Sequence, residues 1–184
     1  MPSTIPDDEP DPLSTTPKAR PSTRPTIELE LFDQQNLLSP QDHANITIWS
    51  AAIFTQLQAT GSVRAKIVDD QRMTQAHQQF SGIDTTTDIL TFDFNPIDQT
   101  ESKTLDTDLI ICADQAAKQA IQHQHTTAHE ILLYIIHGIL HCMGYDDQTT
   151  NEFNTIHQRE DQLLTNAGIG PLFNPNKASQ GTQS

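Results

Sequence analysis

The sequence predicts a single α+β domain in which a small mixed sheet of about four strands is covered by helices around one central buried helix. Three observations predict this fold. Short segments with alternating apolar and polar residues are interspersed with longer segments of helical periodicity. The helical segments gather toward the C-terminal half, and one of them is apolar on nearly all sides. A chain of 184 residues, 35% of them hydrophobic, suffices for one domain with a core.

The two ends of the chain differ from its centre. Residues 1–25 are rich in Pro, Ser and Thr and lack hydrophobic periodicity, so they predict a disordered tail. The folded domain is expected over residues 26–172, with a flexible tail over residues 173–184. The first residues have neither a basic start nor an apolar signal core, and no apolar run is long enough to cross a membrane. We therefore expect a soluble, cytoplasmic protein, and its two cysteines, Cys112 and Cys142, predict buried free thiols.

The first predicted elements are a strand, a helix and a second strand. Residues 26–32 alternate in polarity, as expected of a half-buried strand. Ser39 is a plausible helix cap with Pro40 in the first helical position, and Gly61 is expected to end that helix. Residues 62–68 alternate again and predict the second strand.

A second helix and two further strands complete the predicted sheet. Asp69 can cap a helix that runs to about Phe80 and closes at Gly82. Residues 87–93 and 106–112 predict the third and fourth strands, the fourth being the more buried. The mixture of strands and helices favours α+β over an all-helical fold.

Three helices are predicted in the remaining sequence, over about residues 114–123, 129–143 and 149–166. The middle one is apolar nearly all round, which predicts burial at the centre of the domain.

This central helix carries the most informative motif. His137 and His141 are four residues apart, so their imidazoles project from one face of the helix and can bind one cation. Gly144 is expected to end the helix, and the returning chain can bring Asp147 to the same ion. Two histidines and a carboxylate, with one position left for water, form a catalytic rather than a structural zinc arrangement. The sequence therefore predicts one Zn²⁺ per chain.

Two histidines at this spacing also occur by chance on ordinary helices. In a buried helix, however, unsatisfied imidazoles are costly, and a shared cation satisfies both. The placement of Gly144 and Asp147 further favours the metal site.

The charge of the chain limits its partners. Ten basic and 24 acidic residues give a net charge of −14. This balance argues against indiscriminate binding of nucleic acid, whose phosphates require Lys and Arg. An acidic solvated surface explains most of it.

The motif His137-Gly-Ile-Leu-His141-Cys-Met-Gly144-Tyr-Asp-Asp147 closely resembles the signature of the YbeY family of bacterial metal-dependent endoribonucleases. Upstream, the segment from Asp84 to Phe92, Asp-Thr-Thr-Thr-Asp-Ile-Leu-Thr-Phe, is similar to a second family motif. Thr107-Asp108-Leu-Ile-Ile resembles a third, and Glu130 in the helix lead-in also fits. The resemblance covers about residues 26–170, and three motifs in the same order are improbable by chance.

This resemblance implies a single-strand-specific endoribonuclease with one zinc ion per chain. It implies a role in ribosomal RNA processing, chiefly maturation of the 3′ end of the small-subunit (16S) RNA, and in ribosome quality control. The implied partners are ribosomal RNA, the small ribosomal subunit, and possible ribosomal-protein or GTPase partners, with no membrane.

The chain departs from the family pattern at two positions. The third family ligand is usually histidine, and here it is Asp147, whose charge should leave a zinc-bound water less acidic and shift activity toward higher pH. Ser81 stands where the family usually has an arginine, and serine cannot neutralise phosphate. Arg72, on the same helix, is a possible substitute, although a solvated surface residue is the simpler interpretation.

The proposed catalytic residues are His137, His141 and Asp147, acting through the metal. No general base is obvious, because Gly138 occupies the position of the glutamate in His-Glu-x-x-His peptidases. Asp146 is a candidate base, although a cap or a partner of a metal ligand is the commoner role, and Asp88 could orient a ligand imidazole.

Two other functions remain open at this point. A zinc peptidase fits the spacing of His141, Gly144 and Asp147 but lacks the glutamate base. A non-catalytic or weakly active ribosome assembly factor, stabilised by its metal, fits Ser81 and the acidic charge.

The remaining histidines have simpler interpretations. His123, His125 and His129 could form a second metal site, but their polar neighbours favour a solvated helix junction. The other three, His43, His77 and His157, lie in polar surroundings and are predicted to be surface residues.

Overall fold

The computed structural model describes residues 26–95 and 104–173. The predicted N-terminal tail, and the predicted C-terminal tail apart from Phe173, lie outside the described residues. The elements follow the order β1 (Ile27–Phe32), α1 (Pro40–Phe54), β2 (Thr60–Val68), α2 (Asp70–Ser81), β3 (Ile89–Asp93), β4 (Thr104–Cys112), α3 (Ala113–His123), α4 (Thr127–Cys142) and α5 (Thr150–Asn166).

The strands form one mixed four-stranded sheet, as the sequence predicts. Its spatial order is β1-β2-β4-β3, with β1, β2 and β4 parallel and β3 antiparallel to β4. The helical crossover α1 joins the parallel strands β1 and β2, which two-residue turns could not connect. The predicted α+β architecture is therefore confirmed.

Several helix ends follow from local sequence. Ser39 caps α1 and accepts a hydrogen bond from the Asp42 amide at 3.1 Å. Asp69 caps α2 in the same way, accepting from the Arg72 amide at 2.8 Å. Gly82 closes α2 in the left-handed conformation, with φ of 73°. These predicted caps are confirmed.

The predicted end of the first helix is wrong. Helix α1 ends at Phe54, and Gly61 lies inside β2 instead of terminating the helix. Gly61 has φ of +121°, and a Cβ there would lie 1.9 Å from the Leu105 carbonyl oxygen of β4. The glycine is therefore required by the close approach of a neighbouring strand, which local sequence does not reveal.

The core lies between one face of the sheet and the helices α1, α4 and α5. On the opposite face, α2 buries Met73 against Val68 and Cys112. Cys112 is buried and Cys142 half-buried, and both are free thiols, as predicted. Burial raises the pKa of the Cys112 thiol to about 11, which keeps it protonated at neutral pH.

Helix α4 reaches the sheet through a glycine. A Cβ added at Gly138 would lie 2.9 Å from Leu109 Cδ2 and 3.0 Å from Thr91 Oγ1, so only glycine allows this contact without displacement. This contact places the preceding residue, His137, beside the edge strand β3.

Among the described helices, α4 included, none combines the length and apolarity needed to cross a membrane.

Candidate metal centre

The structure brings His137, His141 and Asp147 together, as the sequence predicts. We call these three residues, at the C-terminal end of α4, the C-terminal cluster. One ligand atom from each residue lies within 4.8 Å of those from the other two. His137 Nε2 and His141 Nε2 are 3.0 Å apart, and Asp147 Oδ2 lies 3.7 Å and 3.8 Å from them. Three donors thus converge on one point at the protein surface.

Local structure explains this convergence. Helix α4 stops at Cys142, and Gly144 turns the chain back with φ of 91°. The Gly144 amide donates to the His141 carbonyl at 2.9 Å and the Tyr145 amide to the Leu140 carbonyl at 3.0 Å, which satisfies the last carbonyls of the helix. The tight turn returns Asp147 to the face of α4 that carries both histidines.

Hydrogen bonds at the other ring nitrogen fix the tautomer of each histidine. His137 Nδ1 donates to Glu160 Oε1 at 2.7 Å, and His141 Nδ1 donates to the Tyr145 carbonyl at 3.0 Å. A carboxylate and a carbonyl can only accept, so both Nδ1 atoms carry protons. In the neutral rings, both Nε2 atoms are then unprotonated and carry lone pairs.

Two imidazole lone pairs that face each other at 3.0 Å repel unless a cation or a proton lies between them. Nitrogen ligands of tetrahedral zinc, each about 2.0–2.1 Å from the ion, lie roughly 3.3 Å apart. The observed spacing is close to this value, and the Asp147 oxygen completes a triangle of donors. The residues present therefore fit a divalent cation with three protein ligands and an open position.

Glu160 dominates the electrostatics of the cluster. Burial alone would lower the pKa of His137, but the hydrogen bond and negative charge of Glu160, together with Asp147, raise it. Burial would likewise raise the pKa of Glu160, but its hydrogen bonds from His137 and His157 lower it. Glu160 is therefore held as a buried carboxylate that orients the imidazole.

Glu160 is a site residue that the sequence did not predict, and the surface position predicted for His157 is wrong. Helix α5 buries Ile156, Glu160, Leu163 and Leu164 on one face, so a glutamate within an apolar stripe was the available signal. His157, predicted as a surface residue, is half-buried, donates from Nδ1 to Glu160 Oε2 at 2.6 Å and stacks on Phe173 at 4.0 Å between ring centroids.

The two other acids considered near the site occupy different places. Asp146 lines a separate surface pocket with Asn151 and Glu152, and its Oδ1 accepts from the Asp147 amide at 2.8 Å. Asp146 does not line the cleft that contains His137, and it does not cap α5, whose N-cap residue is Thr149. Asp88 lies in the same cleft as His137, but its Oδ1 accepts from Thr87 Oγ1 and the Ile89 amide.

A cleft of about 330 Å³ connects His137 to the opposite end of α4. Its lining residues are Asp88, Ile89, Gln119, His123, Glu130, Leu133, Tyr134, His137, Asp147, His157, Glu160 and Phe173. Four of these described residues are acids, three are histidines, and none is Lys or Arg. The cleft is therefore acidic, although the whole chain is acidic as well.

The position of the missing family arginine, Ser81, and its possible substitute Arg72 lie outside this cleft. Ser81 and Arg72 are both exposed on α2 and do not line it. On the opposite face of the sheet, a separate apolar groove contains Arg64 and Lys66. Arg64 is already engaged by Asp106, at 2.7 Å, and by Asp108.

A second group of histidines lies at the N-terminal end of α4. The ligand atoms of His123, His125 and Glu130 are within 4.8 Å of one another, and we call these residues the N-terminal cluster. The predicted solvated helix junction is wrong for His125, whose side chain is 7% exposed and pairs with the buried Glu130. His129 stacks on Trp49, and burial lowers its pKa.

Comparisons with known proteins agree with these features. The family model described as Endoribonuclease YbeY matches residues 33–168. A protein from Geobacillus thermodenitrificans named Endoribonuclease YbeY is 25% identical over 153 residues, covering 78% of this chain and 98% of the relative. One of the same name from Acholeplasma laidlawii is 29% identical over 143 residues, covering 78% of this chain and 98% of the relative.

A solved structure is similar in fold. The solution structure of TM1509 from Thermotoga maritima matches with a TM-score of 0.53 and 21% sequence identity, covering 86% of this chain and 99% of that one. At this level of identity the likeness concerns the fold alone.

Proposed function

The chain belongs to the YbeY family of endoribonucleases, and we propose that it is a zinc-dependent enzyme that cleaves single-stranded RNA during ribosomal RNA processing. The proposal includes maturation of the 3′ end of the small-subunit RNA and a role in ribosome quality control, as the family resemblance implies. The observation that carries it is the pair of Nε2 atoms of His137 and His141, which face each other 3.0 Å apart with Asp147 beside them.

The residues of the C-terminal cluster would hold the cation. When bound, zinc supplies Lewis acidity toward a phosphodiester and lowers the pKa of water. Glu160 fixes the ring of His137 through Nδ1, and the Tyr145 carbonyl fixes that of His141. Both histidines are therefore preorganised, so little ordering is needed when the ion binds.

The geometry gives no support to a zinc peptidase. Such an enzyme would need a glutamate at position 138 to act as the base. Even a Cβ at Gly138 would lie 2.9 Å from Leu109 Cδ2, and this position faces the sheet rather than the cleft. A glutamate there would disrupt the packing of α4 on β4.

One observation favours the assembly-factor alternative. The described lining of the cleft includes four acids and no basic residue, which disfavours the approach of a polyanion. A protein with this cleft could bind pre-ribosomal particles without cutting RNA.

The decisive experiment measures metal content and RNA cleavage together. The purified full chain would be incubated with a small-subunit rRNA precursor and with assembled small subunits. His141→Ala would be the test variant, and His43→Ala the matched control, because His43 lies on α1 and makes only one 3.4 Å contact to a carbonyl. We expect cleavage by the natural chain and the control, and none by His141→Ala.

The other outcomes are informative as well. If the chain binds metal but cuts neither substrate, the assembly-factor function replaces the nuclease. If the natural chain binds no metal at the C-terminal cluster, the ligand proposal itself fails.

A further inference from the structure

The N-terminal cluster combines three donors from the junction between α3 and α4. His123 ends α3, His125 follows the left-handed residue Gln124, whose φ is 62°, and Glu130 lies in the first turn of α4. One donor atom from each of His123, His125 and Glu130 lies within 4.8 Å of the other two. Two imidazoles and a carboxylate at this spacing are a ligand set that suits zinc and similar divalent ions.

Part of this cluster already has a structural explanation. His125 Nε2 hydrogen-bonds to Glu130 Oε2, and the two side chains are only 7% and 3% exposed. A buried carboxylate requires such a partner. His123 does not share this explanation. Its exposed ring packs edge-on against His125, at 5.7 Å between centroids, but the pair of His125 and Glu130 does not depend on it.

The surroundings of the cluster point to a cationic ligand. Glu130 and His123 line the same cleft as His137 and Asp147, which bears four carboxylates and no described basic residue. One divalent cation at the C-terminal cluster would offset only part of this negative charge. A polyanionic substrate would still meet net repulsion in the cleft.

A buried hydroxyl supplies a second, independent observation. Tyr134 is 7% exposed and lines the cleft between the two clusters. Its Oη makes no hydrogen bond of normal geometry within the described residues, and the only side chain that interacts with it as a hydrogen-bond partner there is Glu130, itself a member of the cluster. Burial and the nearby carboxylates of Glu130 and Asp88 raise the pKa of Tyr134, so the hydroxyl stays protonated. Such a group needs a polar partner, which a hydrated cation would provide.

We propose that His123, His125 and Glu130 form a second divalent-cation site in the cleft, separate from the C-terminal cluster. Binding there would release the proton that His125 Nε2 shares with Glu130 to solvent, and both atoms would turn to the ion. The site itself follows from its donor set. Its role, to reduce the negative charge that RNA meets in the cleft, rests on the proposed nuclease function.

The test is a count of bound cations on the full chain. Metal-stripped protein would be titrated with Zn²⁺ by calorimetry, with equilibrium dialysis as a second measurement. We expect two ions per natural chain, one for His123→Ala, one for His141→Ala and none for the double variant. His123 is exposed, so its replacement should leave the fold intact, and circular dichroism would verify this. His43→Ala, expected to keep two ions, is the matched control.

Glu130→Gln supplies a second variant, since the amide keeps the size of the side chain but binds cations weakly. We expect it to bind one ion as well.

The outcomes separate this proposal from the previous one. If the natural chain binds one ion and His141→Ala binds none, the second site is wrong and the C-terminal cluster stands. If His123→Ala loses one ion while His141→Ala loses none, the second site stands and the proposed zinc ligands of the nuclease are wrong. Unchanged binding by His123→Ala and Glu130→Gln would overturn the second site.

Discussion

The two ends of α4 carry similar side chains that differ in their hydrogen bonds and in their burial. Each cluster has two histidines and one carboxylate within 4.8 Å. At the N-terminal cluster, an imidazole and a carboxylate satisfy each other directly and are almost fully buried. At the C-terminal cluster, the two imidazoles turn their Nε2 atoms toward each other, and Asp147, which is partly exposed, lies 3.7 Å from the His137 Nε2.

This difference shows that two similar sets of donors can differ in how readily they bind a cation. What distinguishes the C-terminal cluster is the set of hydrogen bonds at Nδ1, from His137 to Glu160 and from His141 to the Tyr145 carbonyl. They orient the two rings so that each Nε2 is directed at one point. At the N-terminal cluster, Glu130 is already hydrogen-bonded to His125, so a cation there must displace the proton of that hydrogen bond.

The largest expected effect is on metal binding by the C-terminal cluster. His141→Ala removes one of the three proposed ligands. Replacing a residue that hydrogen-bonds to a metal ligand typically lowers metal affinity by about 10–100-fold. Loss of the ligand itself should lower zinc affinity at this site by at least about another tenfold. Competitive titration with a chromogenic chelator would measure this. Affinity equal to that of His43→Ala would contradict the proposed role.

The second effect is on stability and distinguishes the clusters in the metal-free protein. His125→Ala would leave Glu130 buried without its partner, which should lower the free energy of unfolding by about 3–5 kcal/mol. His141→Ala should change it by no more than about 1.5 kcal/mol, because it removes one hydrogen bond but also the crowding of the Nε2 atoms. Urea denaturation in the presence of chelator would measure the free energy of unfolding of both variants. A larger loss of stability in His141→Ala than in His125→Ala would contradict this difference between the clusters.

A smaller loss of zinc affinity is expected when Glu160, the hydrogen-bond partner of His137, is replaced. Glu160→Gln keeps the size of the side chain but removes the charge that fixes the ring of His137, so zinc affinity should fall by about 10–100-fold. Chelator competition would measure this as well. Glu152→Gln, in the capping box of the same helix, is the control and should leave affinity unchanged. An equal loss in both variants would indicate a general effect on α5.

The smallest effect concerns a position outside both clusters. Ser81→Arg adds one exposed positive charge at the end of α2, and an exposed charge pair contributes about 0.2–1 kcal/mol, so RNA cleavage should rise by no more than about fivefold. Initial rates at low salt would show the gain, and added salt should remove it. Ser81→Gln provides a control of similar polarity without the charge. An equal gain in both variants would exclude a charge effect.

Local sequence patterns were sufficient for much of this molecule. The i and i+4 histidines, the turn at Gly144 and the return of Asp147 all lie within eleven consecutive residues, 137–147, so spacing alone could predict their convergence. The caps at Ser39 and Asp69 are equally local.

The features that were missed depend on contacts between distant segments. Glu160 lies 23 residues beyond His137, and their contact arises only when α5 packs on α4. Gly61 is explained by Leu105 on another strand. The pair of His125 and Glu130 is a local exception, because the two residues are five positions apart. A glutamate in the apolar stripe of α5 signalled a buried role but not its partner.

The central claim is that one cation lies between His137, His141 and Asp147. Crystals of the full chain grown with Zn²⁺ would test this directly by anomalous diffraction at wavelengths on both sides of the zinc absorption edge. The account predicts an anomalous peak within bonding distance of both Nε2 atoms and of an Asp147 carboxylate oxygen. Zinc bound elsewhere in the crystal, with none at these three atoms, would contradict it.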